Sequence, residues 1–418
     1  MESDRPLPFS RWWLVVSAAF AMGIAGTFQF VWSSIRGPLG AQVGATETTV
    51  GTLFTVVIAT QTLSQFPAGW VRDRYGPRLP TAVGGILMAG GFVGIATAST
   101  PITAGVGAVA GGAGSGAIYT IAVNTPVKWF DERRGLATGV LTMSYAVLSF
   151  ALIPVVRRDL LGSLGRSLLA FAVLAAVACL VAALVLRDPD TETVPTDGAA
   201  ADGRQAAETG RPAEPYNWRQ ALTTWQFWVL YGVFVVVNGV GLMLIGKLIA
   251  FATALQLATG TATLAASVIA VADGAGGLIV GGLSDRFGPL RTAGTSLLCS
   301  AAGIGGAVLA GNLGIGLAFV ACILVAGFFR SPVFAIFPTV VGEYYGRTYS
   351  SENYAVLYTA KLWGSVFAGT GASVLVSTVG WSRSFLLGAG VLALGGAVLF
   401  TVRPVKRPTR PDGGSQNR

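Results

Sequence analysis

An all-α membrane protein, with twelve transmembrane helices in two six-helix halves, is the fold class this sequence predicts, and three observations predict it. The 418-residue chain is 53% hydrophobic and only 11% charged, where a soluble domain carries about a quarter charged residues. Twelve apolar stretches recur along it, each long enough to cross a hydrocarbon core of about 30 Å as a helix, which pairs its backbone groups internally. The segment "GWVRDRYGPR" from Gly69 returns as "GGLSDRFGPLR" from Gly281, and each copy follows the second stretch of a set of six. The chain reads as a duplicated six-helix unit.

The N-terminal "MESDRPLPFSRWW" has acidic residues, an early Arg-Pro and no small-residue cleavage site behind a short apolar core. It does not read as a removable signal peptide, so the first span is expected to stay. Spans 1 to 6 fall near residues 11–35, 48–70, 81–99, 102–127, 136–156 and 164–186, giving an N-terminal half over 1–186. The chain then turns polar, with "RDPDTETVPTDGAAADGRQAAETGRPAEPYNWRQ" rich in Ala, Gly, Thr, Pro and mixed charge, and 187–224 is expected to be a flexible cytoplasmic linker. Spans 7 to 12 fall near 225–251, 262–284, 290–311, 314–340, 351–377 and 381–400, giving a C-terminal half over 225–400 and a basic cytoplasmic tail over 401–418.

Lysine and arginine set the orientation. Arg72, Arg74 and Arg78, then Lys128, Arg133 and Arg134, then Arg286 and Arg291 share one side with Arg403, Lys406, Arg407 and Arg410 of the tail. The loops after spans 3, 7 and 9 hold none, which predicts a multi-pass protein of the cell membrane with both termini cytoplasmic. Arg157, Arg158 and Arg166 depart from that rule. The net charge of +9 is then topology plus a basic tail near anionic membrane lipid, and calls for no nucleic acid partner. In both repeated loops Gly-Pro makes a tight turn between two helices. Asp73 and Asp285 stand where a carboxylate can accept from a helix start or pair with a loop arginine, so Asp73, Arg74, Arg78, Asp285 and Arg286 are the candidate gating residues.

Other chemistries are excluded by the residues present. Cys179, Cys299 and Cys322 lie inside spans without metal or redox spacing and are expected to pack. There is no histidine, hence no histidine-ligated metal or histidine proton relay. Gly241 to Lys247 reads G-x-x-x-x-G-K, but Leu248 replaces the required Ser/Thr and the run lies in an apolar helix. The glycines of "GGAGSG" at 111–116 lack a preceding strand and suit close helix packing. No metal or other cofactor is expected, and with no catalytic constellation the chain is not expected to be an enzyme.

Charges buried at midspan are the residues expected to carry function. Each costs about 2.5–3.5 kcal/mol on insertion scales, so it normally faces a cavity or a partner. Four qualify: Lys247 in span 7, Asp273 in span 8, Arg330 in span 10 and Lys361 in span 11. Three are cations, and the surplus favours an anion. A small carboxylate can meet Lys361 as a point charge and Arg330 as a planar fork, with Phe334 one turn beyond. The first half offers Gln29 and Phe30, Gln61 and Gln65, Tyr119 and Asn124, and Tyr145, which orient a ligand without adding charge. Of these, Gln29, Tyr119, Asn124 and Tyr145 join the candidate substrate site. Asp273, the one midspan carboxylate, is the candidate proton carrier, with Lys247 as its nearby cation. Each has a structural alternative: Lys247 snorkelling to the interface, Asp273 in a plain internal ion pair, the amides and hydroxyls as helix packing glue.

The loop pattern resembles the major facilitator superfamily, whose signature is Gly-x-x-x-Asp-Arg-x-Gly followed by basic residues. Gly69, Asp73, Arg74, Gly76 and Arg78 match it, as do Gly281, Asp285, Arg286, Gly288 and, one residue late, Arg291. The resemblance spans nearly the whole chain and implies two halves rocking about a midplane site, giving alternating access. "GAIYTIAVNTPVKWFDERRGLATG" is similar, more narrowly, to the oxalate/formate antiporter family, relatives of the monocarboxylate transporters, through Tyr119, Asn124, Thr125, Trp129, Phe130, Arg134, Gly135, Leu136 and Ala137. "FQFVW" at 28–32 and "YTAKLWGSVFAG" at 358–369 add to it, and Lys361 matches that family's span-11 lysine. The resemblance implies a carrier of mono- or dicarboxylates by proton symport or anion exchange, working as a monomer. Relatives place an arginine in span 8 where this chain has Gly277, whereas Asp273 matches the aspartate four residues earlier. Either Arg330 supplies the missing guanidinium or the substrate is not a simple short carboxylate. The alternative function is a proton-coupled exporter of a drug-like or secondary metabolite, although "LATGVLTMSYAVLSFALIPVV" in span 5 lacks the Gly-Pro-rich stretch usual in such exporters.

Overall fold

The computed structural model describes residues 10–125, 129, 134–157, 163–188, 216–346 and 350–405, and the side chains of Asp73, Asn124 and Asp285 lie outside the described part. So do residues 189–215 of the expected linker and 406–418 of the tail. The described chain is helical with no strand. The first half runs through α1 (Trp12–Phe30), α2 (Trp32–Val43), α3 (Glu47–Tyr75), α4 (Arg78–Ala96), α5 (Pro101–Asn124), α6 (Arg134–Arg157) and α7 (Leu164–Val185). A short α8 (Trp218–Ala221) precedes α9 (Trp225–Ala254), α10 (Thr259–Phe287), α11 (Pro289–Asn312), α12 (Gly316–Arg330) and α13 (Pro332–Tyr345). Span 11 is built from α14 (Ser350–Tyr358), α15 (Ala360–Val366), a π-helical turn (Phe367–Gly371) and α16 (Ala372–Val379), and α17 (Trp381–Leu399) closes the chain.

Ten of these described crossings are long and apolar enough to span a membrane by composition alone. The other two are α3 and α6. Helix α3 has 29 residues, ample length, but its threonines and glutamines lower its hydropathy, while in α6 the stretch Met143–Arg157 is apolar among the described residues of a 24-residue helix. The polar residues of α3 are what a lined interior needs.

Three of the described crossings are interrupted, span 11 at Thr359 and at its π-helical turn. Span 1 breaks at Val31 and continues as α2, past the end that its apolar stretch suggests. Span 10 breaks at Ser331, because Pro332 has no N–H for the Phe328 carbonyl; the Ser331 hydroxyl donates to that carbonyl instead, at 3.4 Å. The repeated loops share one geometry. Helix α3 ends at Gly76, φ 76°, and α10 at Gly288, φ 86°. A left-handed residue stops each helix and the following proline starts the next, so glycine is required at both.

Small residues set the packing. In the "GGAGSG" run a Cβ on Gly112 would lie 2.4 Å from the Val57 carbonyl oxygen, on Gly114 2.5 Å from that of Gly84, and on Gly116 2.1 Å from that of Gln61. Helix α5 therefore touches the backbones of α3 and α4 directly. The face bearing the termini is tied by Arg11 donating to the Trp129 carbonyl and the Trp129 indole donating to the Arg187 carbonyl at 2.8 Å. On the same face the last residues of the expected linker are structured: Tyr216 donates to the Tyr345 carbonyl at 2.8 Å and accepts from Asn353 at 2.9 Å.

Contacts between the halves run along the opposite, far end. Helix α3 meets the π-helical turn so closely that a Cβ on Gly369 would lie 2.2 Å from the Gly51 carbonyl. Thr55 donates to the Ser365 carbonyl at 3.0 Å, a carbonyl next to the π-helical turn. Gly246 of α9 leaves room for the Phe54 ring, and Arg157, at the end of α6, reaches Thr263 of α10.

Candidate functional site

Arg330 is the last residue of α12, where the Pro332 break ends the helix and leaves its side chain free to cross the bundle. It is 3% exposed. Its stem and guanidinium run flat across the backbone of α9 at Gly241, where a Cβ would come within 2.4 Å of the Arg330 Cδ. That clearance lets Nη2 form an ion pair with the Asp273 carboxylate of α10, whose side chain keeps 15% of its surface accessible. The guanidinium carbon also stands 5.4 Å from the centre of the Phe334 ring, a cation–π contact. The Arg330 Nε has no partner among the described residues. A guanidinium with an unused donor beside a single carboxylate can still accept a second anion.

Lys361, on α15, is 7% exposed. Its ammonium donates to the Gln61 side-chain oxygen at 3.1 Å and lies 5.8 Å from the Tyr358 ring centre. An ammonium has no acceptor, so the Gln61 oxygen must face it and the amide nitrogen must face away. That nitrogen donates to Ser115 at 2.7 Å and to the Tyr145 hydroxyl at 2.6 Å. Ser115 donates onward to the Ala25 carbonyl and Tyr145 to the Gln29 oxygen, at 3.1 and 3.4 Å. Tyr119 packs edge-on against Tyr145 with ring centres 5.4 Å apart. A fixed polar chain through α1, α3, α5 and α6 thus ends on a lysine of the other half.

Asp273 feels the charge of both Arg330 and Lys361. Arg330 pairs with the carboxylate, while Lys361, bonded to Gln61, acts on it only through its charge. The three side chains leave a net positive charge of one, and removing the carboxylate from such a site would leave buried cations uncompensated.

The structure therefore brings together Lys361, Arg330, Phe334, Asp273, Gln29, Tyr119 and Tyr145, with Gln61 as the link between halves. Asn124 lies outside what is described. Lys247 does not join them, which corrects the expectation that it is the cation beside Asp273. It follows Gly241, where Arg330 crosses, by six residues, about 9 Å along the helix. Lys247 instead pairs with Glu47 of α3 at 2.9 Å and donates to Ser373 of α16 at 2.7 Å. Glu47 in turn pairs with the buried Arg36 of α2. Arg36 and Glu47 escape the sequence reading because the apolar stretch stops at residue 35 and Pro38 looks like a helix end. The signal available was two opposite charges flanking the Gly44 turn.

Of the candidate gating residues, Arg74 stacks on Trp70 at 4.6 Å and, like Arg78 and Arg286, is exposed. The side chains of Asp73 and Asp285 are outside the described part. Among the described residues, an ion pair on this face joins buried Arg72 to Asp188 at 2.7 Å.

The family model of the Major Facilitator Superfamily matches residues 12–249 and 235–418. The chain is 29% identical over 411 residues to the oxalate:formate antiporter of Oxalobacter formigenes, covering 95% of this chain and 94% of that one. It is 27% identical over 405 residues to an uncharacterized 38 kDa protein in the 23S RNA operon of Thermoproteus tenax, covering 96% and 98%. Among solved structures, a D-xylose-proton symporter superposes with a TM-score of 0.75 over 95% of this chain and 98% of that one at 13% identity, a likeness of fold alone.

Proposed function

Since the chain belongs to the major facilitator superfamily of membrane transporters, we propose that it is a secondary active carrier of small organic anions, mono- or dicarboxylates, working by alternating access. The observation that carries this reading is the buried Arg330–Asp273 pair together with a second buried cation, Lys361, whose ammonium meets Gln61 of the other half. A carboxylate entering there takes the unused Arg330 donor and the Lys361 ammonium, and the aromatic faces of Phe334, Tyr119 and Tyr358 exclude water around it. On this reading Arg330 supplies from span 10 the guanidinium that relatives carry at the position of Gly277.

Substrate that draws Arg330 away frees Asp273 to take up a proton, so the two bindings are linked. Proton symport and anion exchange both follow from that linkage. The name of the Oxalobacter formigenes relative, an oxalate:formate antiporter, favours exchange. The carrier acts as a monomer in the cell membrane with both termini cytoplasmic, and residues 187–224 join the two halves.

Counterflow of labelled oxalate, formate, lactate and pyruvate in proteoliposomes, with and without a pH gradient, tests the reading. Saturable uptake of at least one is expected, and Lys361→Ala should abolish it while expression and the elution profile stay unchanged. Lack of exchange with all four, or wild-type transport by the alanine variant, would overturn it.

A further inference from the structure

The far-side cluster of Arg36, Glu47, Lys247 and Ser373 plays no part in the site above, yet it holds two buried cations on one carboxylate oxygen. Which contacts lie within a half, and which cross between halves, is informative. Arg36 and Glu47 both belong to the first half. Lys247 and Ser373 both belong to the second, and the Ser373 hydroxyl is itself fixed by donating to the Gly369 carbonyl at 2.7 Å. Only the bond from Lys247 to Glu47 crosses.

When the halves part at the far end, the charges therefore divide unequally. Glu47 keeps Arg36 and the favourable start of α3, so the first half carries away a neutral pair. Lys247, 2% exposed here, is left with a hydroxyl and no counter-charge on the wall of the newly opened path. Glu47 keeps 40% of its side chain accessible, so a solute carboxylate can approach and compete for the same ammonium. Ser373 follows Lys361 by twelve residues on the same span, about 18 Å nearer the far face, which sets Lys247 above the deeper lysine on one line of approach.

We propose that Lys247, with the Ser373 hydroxyl, is a capture site for the substrate carboxylate on the far side, and that Glu47 occupies it as an internal surrogate anion while that side is shut. The inference rests on the anion-carrier reading. Glu47 is then both the closing contact and the competitor, and an arriving carboxylate stabilises the open far side by replacing it.

The test uses the full chain in proteoliposomes of known orientation. Spin labels at Ala41 and Leu313, exposed positions on opposite halves of the far face, are placed in a background lacking Cys179, Cys299 and Cys322. Without substrate, Glu47→Gln and Lys247→Gln should both move population to the longer label distance. Their kinetics should then separate. With oxalate presented from the far side, Glu47→Gln should lower KM, because the ammonium is unmasked. Lys247→Gln should raise it about tenfold or more, as expected for loss of a charge-assisted hydrogen bond. Lys247→Arg should stay near wild type. Unchanged label distances in both glutamine variants, or equal far-side KM values in the two, would overturn the proposal. If the unsubstituted chain exchanges no carboxylate at all, the anion-carrier reading has failed before any variant is compared, and this inference falls with it.

Discussion

Gly241 and Gly246 share a run with Lys247 that resembles a nucleotide loop in spelling only, and each has a different job. Gly246 makes way for Phe54 and Gly241 for Arg330. A methyl group on Gly241 would stand 2.4 Å from the Arg330 Cδ and press the side chain off Asp273. Gly241→Ala should therefore raise the substrate KM about tenfold or more and cost about 1–3 kcal/mol of stability through overpacking. Substrate titration and a thermal shift in detergent measure the two effects. Asp273 invites a different test, because it is the carboxylate that Arg330 pairs with. Asp273→Asn keeps the size and removes the titrating group, so exchange of substrate for substrate should persist while accumulation driven by an inward proton gradient disappears. Accumulation by the asparagine variant with ΔpH as the sole driving force would show that Asp273 merely neutralises Arg330.

Among the elements, α3 and span 11 do the most to connect the two halves. Helix α3 carries Glu47, Thr55 and Gln61 in order from the far end inward, and each meets the second half, at Lys247, Ser365 and Lys361. The π-helical turn of span 11 lies between the first two of these contacts, against the bare backbone of Gly51. A Cβ at position 369 would fall 2.1 Å from the Thr55 hydroxyl. Gly369→Ala should hold the far side apart, lengthening the distance between labels at Ala41 and Leu313 and lowering turnover about tenfold or more, with expression retained. A variant that turns over at the wild-type rate with unchanged distances would mean that the close approach is only a packing detail. The repeated Gly-Pro turns act on the other face, where they fix the junctions of α3 with α4 and of α10 with α11.

At the scale of the whole molecule, an even number of crossings places both termini on one face, with the repeated loops and the Arg72–Asp188 pair. The excess of arginine on that face predicts that it is cytoplasmic. Tags at either end should be cleaved in inside-out vesicles and protected in right-side-out ones, and the reverse pattern would invert the assignment of the far face throughout. The far-side contacts close the bundle at the end away from the termini. Opening that end requires giving up Lys247–Glu47, Thr55–Ser365 and the approach of Gly51 to Gly369 together.

The sequence by itself determined the number of crossings, their pairing into two halves and the family, because length, hydropathy and a repeated turn are local properties written in consecutive residues. It also marked Lys361, Arg330 and Asp273, since a charge inside an apolar stretch is conspicuous wherever the helix goes. What only the tertiary structure decided was which charge meets which. Hydropathy carries no information about the rotation of one helix against another, so the sequence reading sets Lys247 beside Asp273 and keeps Arg330 for the substrate. The break at Pro332 and the clearance at Gly241 assign Arg330 to Asp273, and the six-residue offset along α9 hands Lys247 to Glu47. Gln61 became the link between the halves for the same reason: an amide in a span reads as packing glue until a lysine from 300 residues away is seen to donate to it.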